Sequence, residues 1–249
     1  MLVPGLNDDS ANVFTTSFSP DELTAYFGMF HGDQVDIYTS SRTSRTEAFG
    51  LASRVPSVNS LFTDFSPSVT ADALTLYMNS TRSGAFALYV SSRPSTSMEF
   101  SVPIELTELD VYGEGNPSVT PDGTALYFHS YRTGSFDLFR ARKLANGFEA
   151  PQPVAINTQY DEALPTPSAD ERTLYFLSLN NPAGPDGIWM ATRASVDQPF
   201  SGARPLDELT GQTAAPVQPL WISPDECRLY FQDRDAQNGY LVYVAERIR

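Results

Sequence analysis

Short apolar runs alternate with turn-forming residues along the whole chain. Residues 125–128 are Ala-Leu-Tyr-Phe and residues 136–139 are Phe-Asp-Leu-Phe. Pro121, Asp122 and Gly123 precede the first of these runs, and Gly134 lies between the two. Short runs rich in aromatic and branched residues, bounded by Gly, Pro and Asp, are typical of β-strands joined by tight turns. No segment has sustained 3.6-residue apolar periodicity, so we expect an all-β protein with few helices.

One pattern, an Asp followed by four residues and then a Tyr, occurs five times. The five pairs are Asp21/Tyr26, Asp72/Tyr77, Asp122/Tyr127, Asp170/Tyr175 and Asp225/Tyr230. Each Tyr is followed by a large apolar residue and then, 12 to 14 positions after the Tyr, by another aromatic residue. A basic residue comes four positions later in every copy: Arg42, Arg93, Lys143, Arg193 and Arg247. Offsets kept in five copies indicate a repeat architecture.

Each repeat contains four predicted strands. The first ends at the Asp-containing turn, the second carries the Tyr, and the third follows a loop. The fourth begins near a proline, which an outer edge strand tolerates; these prolines are Pro4, Pro56, Pro103, Pro153 and Pro205. Four-stranded units repeated around an axis form a β-propeller. The sequence therefore predicts a single domain over 1–249 with five blades, at 9–59, 60–107, 108–157, 158–210 and 211–249 plus 1–8.

The two ends of the chain predict how the ring closes. The last predicted strand, 241–244, is a third strand with no fourth strand after it. The first residues, Leu-Val-Pro-Gly-Leu-Asn at 2–7, align with the fourth-strand segment Arg-Val-Pro-Ser-Val-Asn at 54–59. We therefore expect the N-terminal segment to pair as the outer strand of the last blade, which covers an edge that would otherwise be open.

The repeat resembles the WD-repeat-like propeller motif of TolB-type proteins. The similarity lies in the Pro-Asp-Gly turn, the Leu-Tyr-Phe strand, the Gly loop and the Asp-Leu-Phe strand, and it is clearest between Glu114 and Arg142. Blade 2 departs from it with alanines on both sides of Asp72, and blade 4 has an insertion over 180–186. The resemblance implies binding more than a reaction, because members of that fold family serve as interaction platforms, periplasmic scaffolds and accessory domains of peptidases.

The charge of the chain limits its partners. Its 249 residues include 30 Asp plus Glu and 16 Lys plus Arg, so the formal net charge is -14. Phosphates would be repelled, so we expect no nucleic-acid partner. No apolar run approaches the roughly 18 residues of a membrane helix, and Cys227 is the one cysteine, which excludes an intrachain disulfide. We expect a monomer with no membrane insertion.

The predicted compartment depends on the N-terminus. The segment beginning at Met1 has no basic head and apolar stretch of the kind that a signal peptide has. We expect a cytoplasmic protein if Met1 is the native start, and a periplasmic or secreted one if a leader has been removed.

Four carboxylates align near the starts of first strands, where the loops of one propeller face meet. They are Asp64, Glu114, Asp161 and Glu162. One interpretation is that they accept backbone N–H bonds in the turns between blades. The other is that they converge at the channel mouth, where like charges raise a pKa or recruit a cation such as Ca²⁺.

Aromatic and small polar residues are expected on the same face. The ring-bearing candidates are Phe14, Phe30, His31, Tyr112, Tyr131 and Tyr160, and the channel-side polar candidates are Thr16, Asn116 and Gln218. Trp221 occupies a first-strand position that holds Ser or Thr in the other four blades. It either compensates packing between blades or provides a platform on which a ligand stacks.

Known catalytic motifs are not found in the sequence. His31 and His129 are the two histidines, too few for a three-histidine zinc site, and there is no Gly-x-Ser-x-Gly motif. Arg82 and Arg132, at aligned loop positions, are expected to form structural pairs with the third-strand position held by Asp36 and Asp137.

Two classes of function remain open from the sequence. The preferred one is a non-catalytic binding or scaffold propeller that recognises a small molecule, a glycan or a protein at the channel mouth, without a cofactor. The alternative is a hydrolase. It would be a glycosidase that uses Asp64, Glu114 and Glu162, or a lactonase or esterase assisted by channel Ca²⁺.

Overall fold

The computed structural model describes residues 1–6, 13–109, 113–209, 215–235 and 239–246. Within these residues the strands form five antiparallel sheets, one per repeat. Blade 1 contains β1 (Val13–Phe18), β2 (Thr24–His31), β3 (Gln34–Ser41) and β4 (Ser53–Arg54). Blade 2 contains β5 (Asp64–Val69), β6 (Thr75–Ser80), β7 (Ala87–Ser92) and β8 (Ile104–Glu105). Blade 3 contains β9 (Gly115–Val119), β10 (Ala125–Ser130), β11 (Asp137–Arg142) and β12 (Gln152–Pro153).

Blades 4 and 5 continue the same order. Blade 4 contains β13 (Asp161–Pro167), β14 (Thr173–Leu179), β15 (Gly187–Thr192) and β16 (Ser201–Pro205). Blade 5 contains β17 (Gln218–Ile222), β18 (Arg228–Asp235) and β19 (Gly239–Glu246). The one helical element in the described residues is a 3₁₀ turn at Asp207–Leu209. The described part of the chain has no helix with the length and apolarity needed to cross a bilayer.

The first strands form a closed ring around a central channel. Going round the ring, β1 contacts β5, β5 contacts β9, β9 contacts β13, β13 contacts β17, and β17 contacts β1. The apolar core lies between neighbouring blades rather than inside any one of them. One cluster, for example, joins Tyr77 and Leu88 of blade 2 to Leu126 and Phe128 of blade 3. The predicted five-bladed β-propeller is confirmed.

The N-terminal segment closes the ring at blade 5, as the sequence predicts. Leu2 forms a β-bridge with Tyr243. The Val3 amide donates to the Val242 carbonyl at 2.9 Å, and the Val244 amide donates to the Met1 carbonyl at 2.8 Å. Blade 5 thus has four strands, the outer one supplied from the other end of the sequence.

The repeated Asp makes the turn between the first and second strands. In blade 3, Asp122 Oδ1 accepts from Thr120 Oγ1 at 2.7 Å and from the Thr124 amide at 3.0 Å. The hydroxyl and amide bonds to the other four repeat aspartates have the same pattern. At Asp225 such bonds lower the pKa of the carboxyl to about 2, and the bond from the Ser223 hydroxyl is the largest cause. The turn aspartates are therefore structural.

A bulge in each first strand positions the side chains of the channel. The register between first and second strand shifts within every blade. In four blades the bulge contains a non-glycine residue with positive φ: Thr15, Ser66, Asn116 and Leu164. Pro219 occupies the aligned position in blade 5. A bulge changes the direction of a side chain, and here it brings residues such as Ser66 and Asn116 to the channel wall.

Candidate functional site

A cleft lined with aromatic rings opens at the mouth of the channel, on the face opposite the Asp turns. It consists of two cavities, of about 580 Å³ and about 320 Å³, whose walls share Phe65, Phe86 and Asn116. We call the whole feature the aromatic cleft, the larger cavity the blade 2–3 pocket and the smaller one the mouth pocket. Concave apolar sites of this size with a few polar groups are typical of ligand-binding sites.

The blade 2–3 pocket exists because blade 3 has a glycine where blade 2 has a phenylalanine. Phe65 pairs with Asn79 across β5 and β6, and Gly115 pairs with His129 across β9 and β10. A Cβ atom at Gly115 would lie 2.6 Å from Nε2 of His129, so any side chain there would displace the imidazole. In blade 2 the larger residue of the pair is on the first strand, and in blade 3 it is on the second strand. This reversal leaves room for a cavity between the two blades. Phe136 and Tyr131 complete the wall on the blade 3 side.

Two buried polar side chains lie in the wall of this pocket, one from blade 2 and one from blade 3. Asn79 is 1 % exposed and His129 is 9 % exposed. Within the described residues, neither Asn79 Oδ1 nor His129 Nδ1 has a hydrogen-bond partner. Desolvation lowers the pKa of His129 to about 4, against the opposing influence of Glu114 and Asp161. The imidazole is therefore neutral at pH 7, and it offers one donor and one acceptor.

The mouth pocket is formed by aromatic rings packed edge to face. Phe14 lies 5.1 Å from Phe30 and 5.4 Å from Tyr240, centroid to centroid. Its polar groups are mostly engaged within the protein: Gln232 Nε2 donates to Gln218 Oε1 at 2.6 Å, and Gln232 Oε1 accepts from the Thr15 amide at 3.4 Å. The mouth pocket therefore presents a mainly apolar surface.

Two of the strand-start carboxylates are buried in ion pairs. Asp64 accepts from Arg82 and from the amide and hydroxyl of Ser60. Glu114 Oε1 accepts from Arg132 at 2.8 Å and from Ser130 Oγ at 2.9 Å. Both carboxylates are fully buried, and of the two only Glu114 contributes to the wall of the aromatic cleft.

The expected partners of the two loop arginines were wrong. Arg82 and Arg132 pair with the strand-start carboxylates and not with Asp36 and Asp137. Asp36 pairs instead with Arg54 at 2.8 Å, and Asp137 accepts from Thr133. The reason is geometric: each arginine follows its second strand and folds back toward the first strand, not forward to the third.

Of the blade 4 carboxylates, Glu162 is held by its own loop and Asp161 by a loop of blade 3. Glu162 accepts from the Thr158 amide at 2.8 Å and from its hydroxyl at 2.7 Å, and burial raises the pKa of Glu162. Asp161 Oδ1 accepts from the Phe136 amide at 3.0 Å. Blade 4 has Asn180 where blades 2 and 3 have the loop arginine, so Glu162 is buried without such a cation.

The described residues do not provide a set of side-chain ligands for a metal ion at this site. Nowhere in the described ranges do three His, Cys, Asp or Glu side chains come together in a way that could hold an ion. Asp64 and Glu162 contribute to neither cavity of the aromatic cleft. Calcium, and a catalytic role for Asp64, Glu114 and Glu162, stay predictions.

The remaining candidates are distributed between the cleft and the channel. Tyr131 and Asn116 line the blade 2–3 pocket, and Phe14 lines the mouth pocket. Thr16 lines the narrow channel below them. Tyr112 lies outside the described residues.

Trp221 and His31 lie apart from the cleft. Trp221 lines the channel and packs against Phe18 at 5.6 Å and Tyr230 at 5.8 Å, so it fills space between blades 5 and 1. His31 is exposed, with its Nδ1 3.4 Å from the Tyr38 hydroxyl. Binding by either residue stays a prediction.

Sequence reasoning missed most of the wall of the cleft. The missed residues are Phe65, Asn79, Phe86, Phe136 and, as a cleft residue, His129. One signal was available: the position two after the repeat Tyr lies in an otherwise apolar strand and yet is polar in three blades, as Asn79, His129 and Gln232. A polar residue in a buried strand needs a hydrogen-bond partner, and a ligand is one possible source of that partner.

Solved structures with the same arrangement include glycoside hydrolases and a TolB protein. An α-L-arabinofuranosidase from Podospora anserina, in complex with cellotriose, has a TM-score of 0.67 at 12 % identity, over 100 % of this chain and 95 % of that one. A thermostable family-43 glycoside hydrolase has a TM-score of 0.65 at 14 % identity, over 96 % and 90 % of the two chains. TolB from Acinetobacter baumannii has a TM-score of 0.58 at 16 % identity, over 95 % of this chain and 55 % of that one.

These likenesses show the fold alone. No protein-family model matches the chain, and no curated protein matches it. This chain spans about half the length of the Acinetobacter TolB. The resemblance to TolB-type propellers that the repeat indicates is confirmed at the level of the fold.

Proposed function

We propose that this protein is a binding propeller that holds a small molecule or a glycan in the aromatic cleft. The observation that carries the proposal is the cleft itself: two adjoining cavities at the channel mouth, joined at Phe65, Phe86 and Asn116 and walled mainly by aromatic rings. Burial of a ligand against such rings supplies affinity, and the few polar groups orient the ligand.

The state of the carboxylates favours binding over hydrolysis. Glycoside hydrolysis needs two carboxyl groups that flank the bond to be cleaved. Asp64 and Glu114 are each committed to an arginine, and Glu162 is held by the Thr158 turn. These bonds give each carboxylate a structural role in its own or a neighbouring loop, and proton transfer to a substrate would need further geometry in the bound complex.

A glycosidase is the second candidate, and three observations favour it. Glu114 lies in the wall of the blade 2–3 pocket, and burial raises the pKa of Glu162, as is usual for a general acid. The fold is also shared with the arabinofuranosidase and with the family-43 glycoside hydrolase. These features make the hydrolase a direct alternative to be tested on the same sample.

The test is a binding screen with matched variants. Thermal shift and calorimetry with xylotriose, cellotriose and a small-molecule fragment set should find a ligand whose affinity falls in Phe86→Ala. Phe62→Ala is the control, because Phe62 is 50 % exposed and lines neither cavity of the cleft. Ligands bound equally by wild type and Phe86→Ala, or no ligand at all, would refute the proposal.

Turnover distinguishes the two candidates. Chromogenic arabinofuranosides and xylosides should give no release above the buffer rate if the protein only binds. Release by the wild type that disappears in Glu114→Gln and Glu162→Gln, with binding retained, would replace the binding proposal by the glycosidase.

A further inference from the structure

The blade 2–3 pocket has an aromatic pair on each side. On the blade 2 side, the rings of Phe65 and Phe86 lie 5.4 Å apart at 63°. On the blade 3 side, Phe136 lies 5.3 Å from Tyr131 and 4.8 Å from the imidazole of His129. Aromatic faces and edges on both sides favour a flat ring as the occupant, because a flat ring can stack on one pair and meet the other edge-on.

Polar recognition in this pocket is limited to very few atoms. Asn79 Oδ1 and His129 Nδ1 lie in its wall, and no described residue forms a hydrogen bond to either. A buried polar atom without a partner costs free energy, which a ligand donor would recover. Asn79 Oδ1 can only accept, so the complementary ligand group is an N–H or an O–H.

Two further polar groups of the wall are already engaged within the protein. Asn116 Oδ1 accepts from Ser66 Oγ at 2.7 Å, and the Glu114 carboxylate pairs with Arg132. A sugar, with a hydroxyl on nearly every ring carbon, would lose several hydrogen bonds to water on entering such a site.

The electrostatics of the pocket disfavour a charged ligand. Its described wall contains no Lys or Arg, and the protein carries a net charge of -14, so an anion would be repelled. Glu114, the one acid of that wall, is fully buried and already paired with Arg132, so the pair as a whole offers a cation little net charge.

We propose that the blade 2–3 pocket binds a neutral aromatic or heteroaromatic ring that carries an N–H or O–H group at its edge, with that group donating to Asn79. The inference rests on the proposed binding function and specifies the chemistry of the larger of its two cavities. The mouth pocket then takes whatever substituent extends from the ring toward the channel.

The experiment compares indole with 1-methylindole on the full chain by calorimetry. Indole has the edge N–H and 1-methylindole lacks it, while the flat ring is the same. We expect 1-methylindole to bind about tenfold more weakly, which is the loss of one hydrogen bond to a buried acceptor. Equal affinity for the two would refute the role of Asn79.

Variants locate the site and the donor. Asn79→Leu should remove the preference for indole over 1-methylindole, and the change is conservative for folding because blade 4 has Leu177 at the aligned position. Phe136→Ala should weaken both probes, and Phe62→Ala should weaken neither. Binding of indole that is unchanged in Phe136→Ala would place the probe elsewhere and refute the inference.

Competing probes separate this inference from the proposed function. Xylotriose or phenyltrimethylammonium that binds more tightly than indole, and loses affinity in Phe86→Ala, would overturn the neutral ring and leave the binding function standing. No binding by indole, by these two probes or by the fragment set would overturn both.

Discussion

His129 couples the blade 2–3 pocket to the stability of the protein. Its ring is buried against Phe136, and Glu114 and Asp161 are the charged groups that act on it. Desolvation lowers its pKa to about 4 from an ordinary value of 6.5. Between these values the unfolded chain binds a proton at this residue and the folded chain does not, so the free energy of unfolding rises with pH.

Replacing His129 by Asn, the residue that blade 2 has at this position, should remove that dependence. For the wild type we expect the contribution of His129 to the free energy of unfolding to fall by about 2 kcal/mol from pH 7 to pH 5. The reason is that pH 5 lies about one and a half units below the ordinary pKa of histidine and still above the pKa in the folded protein. Urea unfolding of both proteins at the two pH values measures it. His31→Asn is the control, since His31 is exposed. A pH dependence equal in wild type and His129→Asn would contradict the buried neutral imidazole.

At the scale of elements, the repeat Tyr of one blade bonds to a glutamate of the next blade, a contact that we call the latch. It joins blades 3 and 4 and blades 5 and 1, whereas blade 3 has no glutamate with which blade 2 could form it. The hydroxyl of Tyr127 in blade 3 donates to Glu171 Oε2 of blade 4 at 2.7 Å, and Arg193 donates to that hydroxyl at 3.0 Å. Although burial alone would raise the pKa of Glu171, hydrogen bonds from Arg140 and Tyr127 outweigh burial and lower it. Tyr230 and Glu22 make the same contact between blades 5 and 1, at 2.6 Å.

Blade 3 has Gly123 where blade 4 has Glu171, which provides a natural control. Tyr127→Phe should lower the free energy of unfolding by about 1–3 kcal/mol, because a buried charged acceptor loses a donor. Tyr77→Phe, at the junction of blades 2 and 3, should change it by about 0.5 kcal/mol or less. Chemical denaturation of both variants tests this, and equal losses would argue against the latch.

At the scale of the whole molecule, ring closure depends on a few residues at the N-terminus. Val3 and Leu6 are both 2 % exposed and belong to the cluster that contains Val242 and Val244 of β19. The outer edge of β19 is covered by this segment alone among the described residues.

Deletion of residues 1–6 should lower the melting temperature by about 6–24 °C. Removing two buried aliphatic side chains costs about 3–6 kcal/mol, and each kcal/mol is about 2–4 °C for a domain of this size. Calorimetry measures the shift, and Leu2→Ser is the control because Leu2 is 43 % exposed. A deletion variant that melts like the wild type would show that the ring does not need this strand.

The architecture could be predicted from the sequence because its determinants are local and repeated. The Asp turn is made by residues within two or three positions of one another, as Thr120, Asp122 and Thr124 show. Five copies of that turn and of the following Tyr then determine the strand order and the number of blades. The match of residues 2–7 to other fourth strands determined the closure for the same reason.

The site could be predicted only in part, because its walls are assembled from different blades. The room for the blade 2–3 pocket depends on Gly115 facing His129 while Phe65 faces Asn79, which no single repeat reveals. The sequence likewise placed Asp64 and Glu114 correctly on one face, but only the folded chain decides that Arg82 and Arg132 turn back to them.

The sequence by itself thus determined the ring, its five blades and the face on which the strand-start carboxylates lie, since short-range turn chemistry and regular spacing suffice for these. Tertiary structure decided which side chains meet on that face and which buried polar atoms have partners. Those outcomes depend on how neighbouring twisted sheets pack, and packing joins residues about one full repeat apart in the chain.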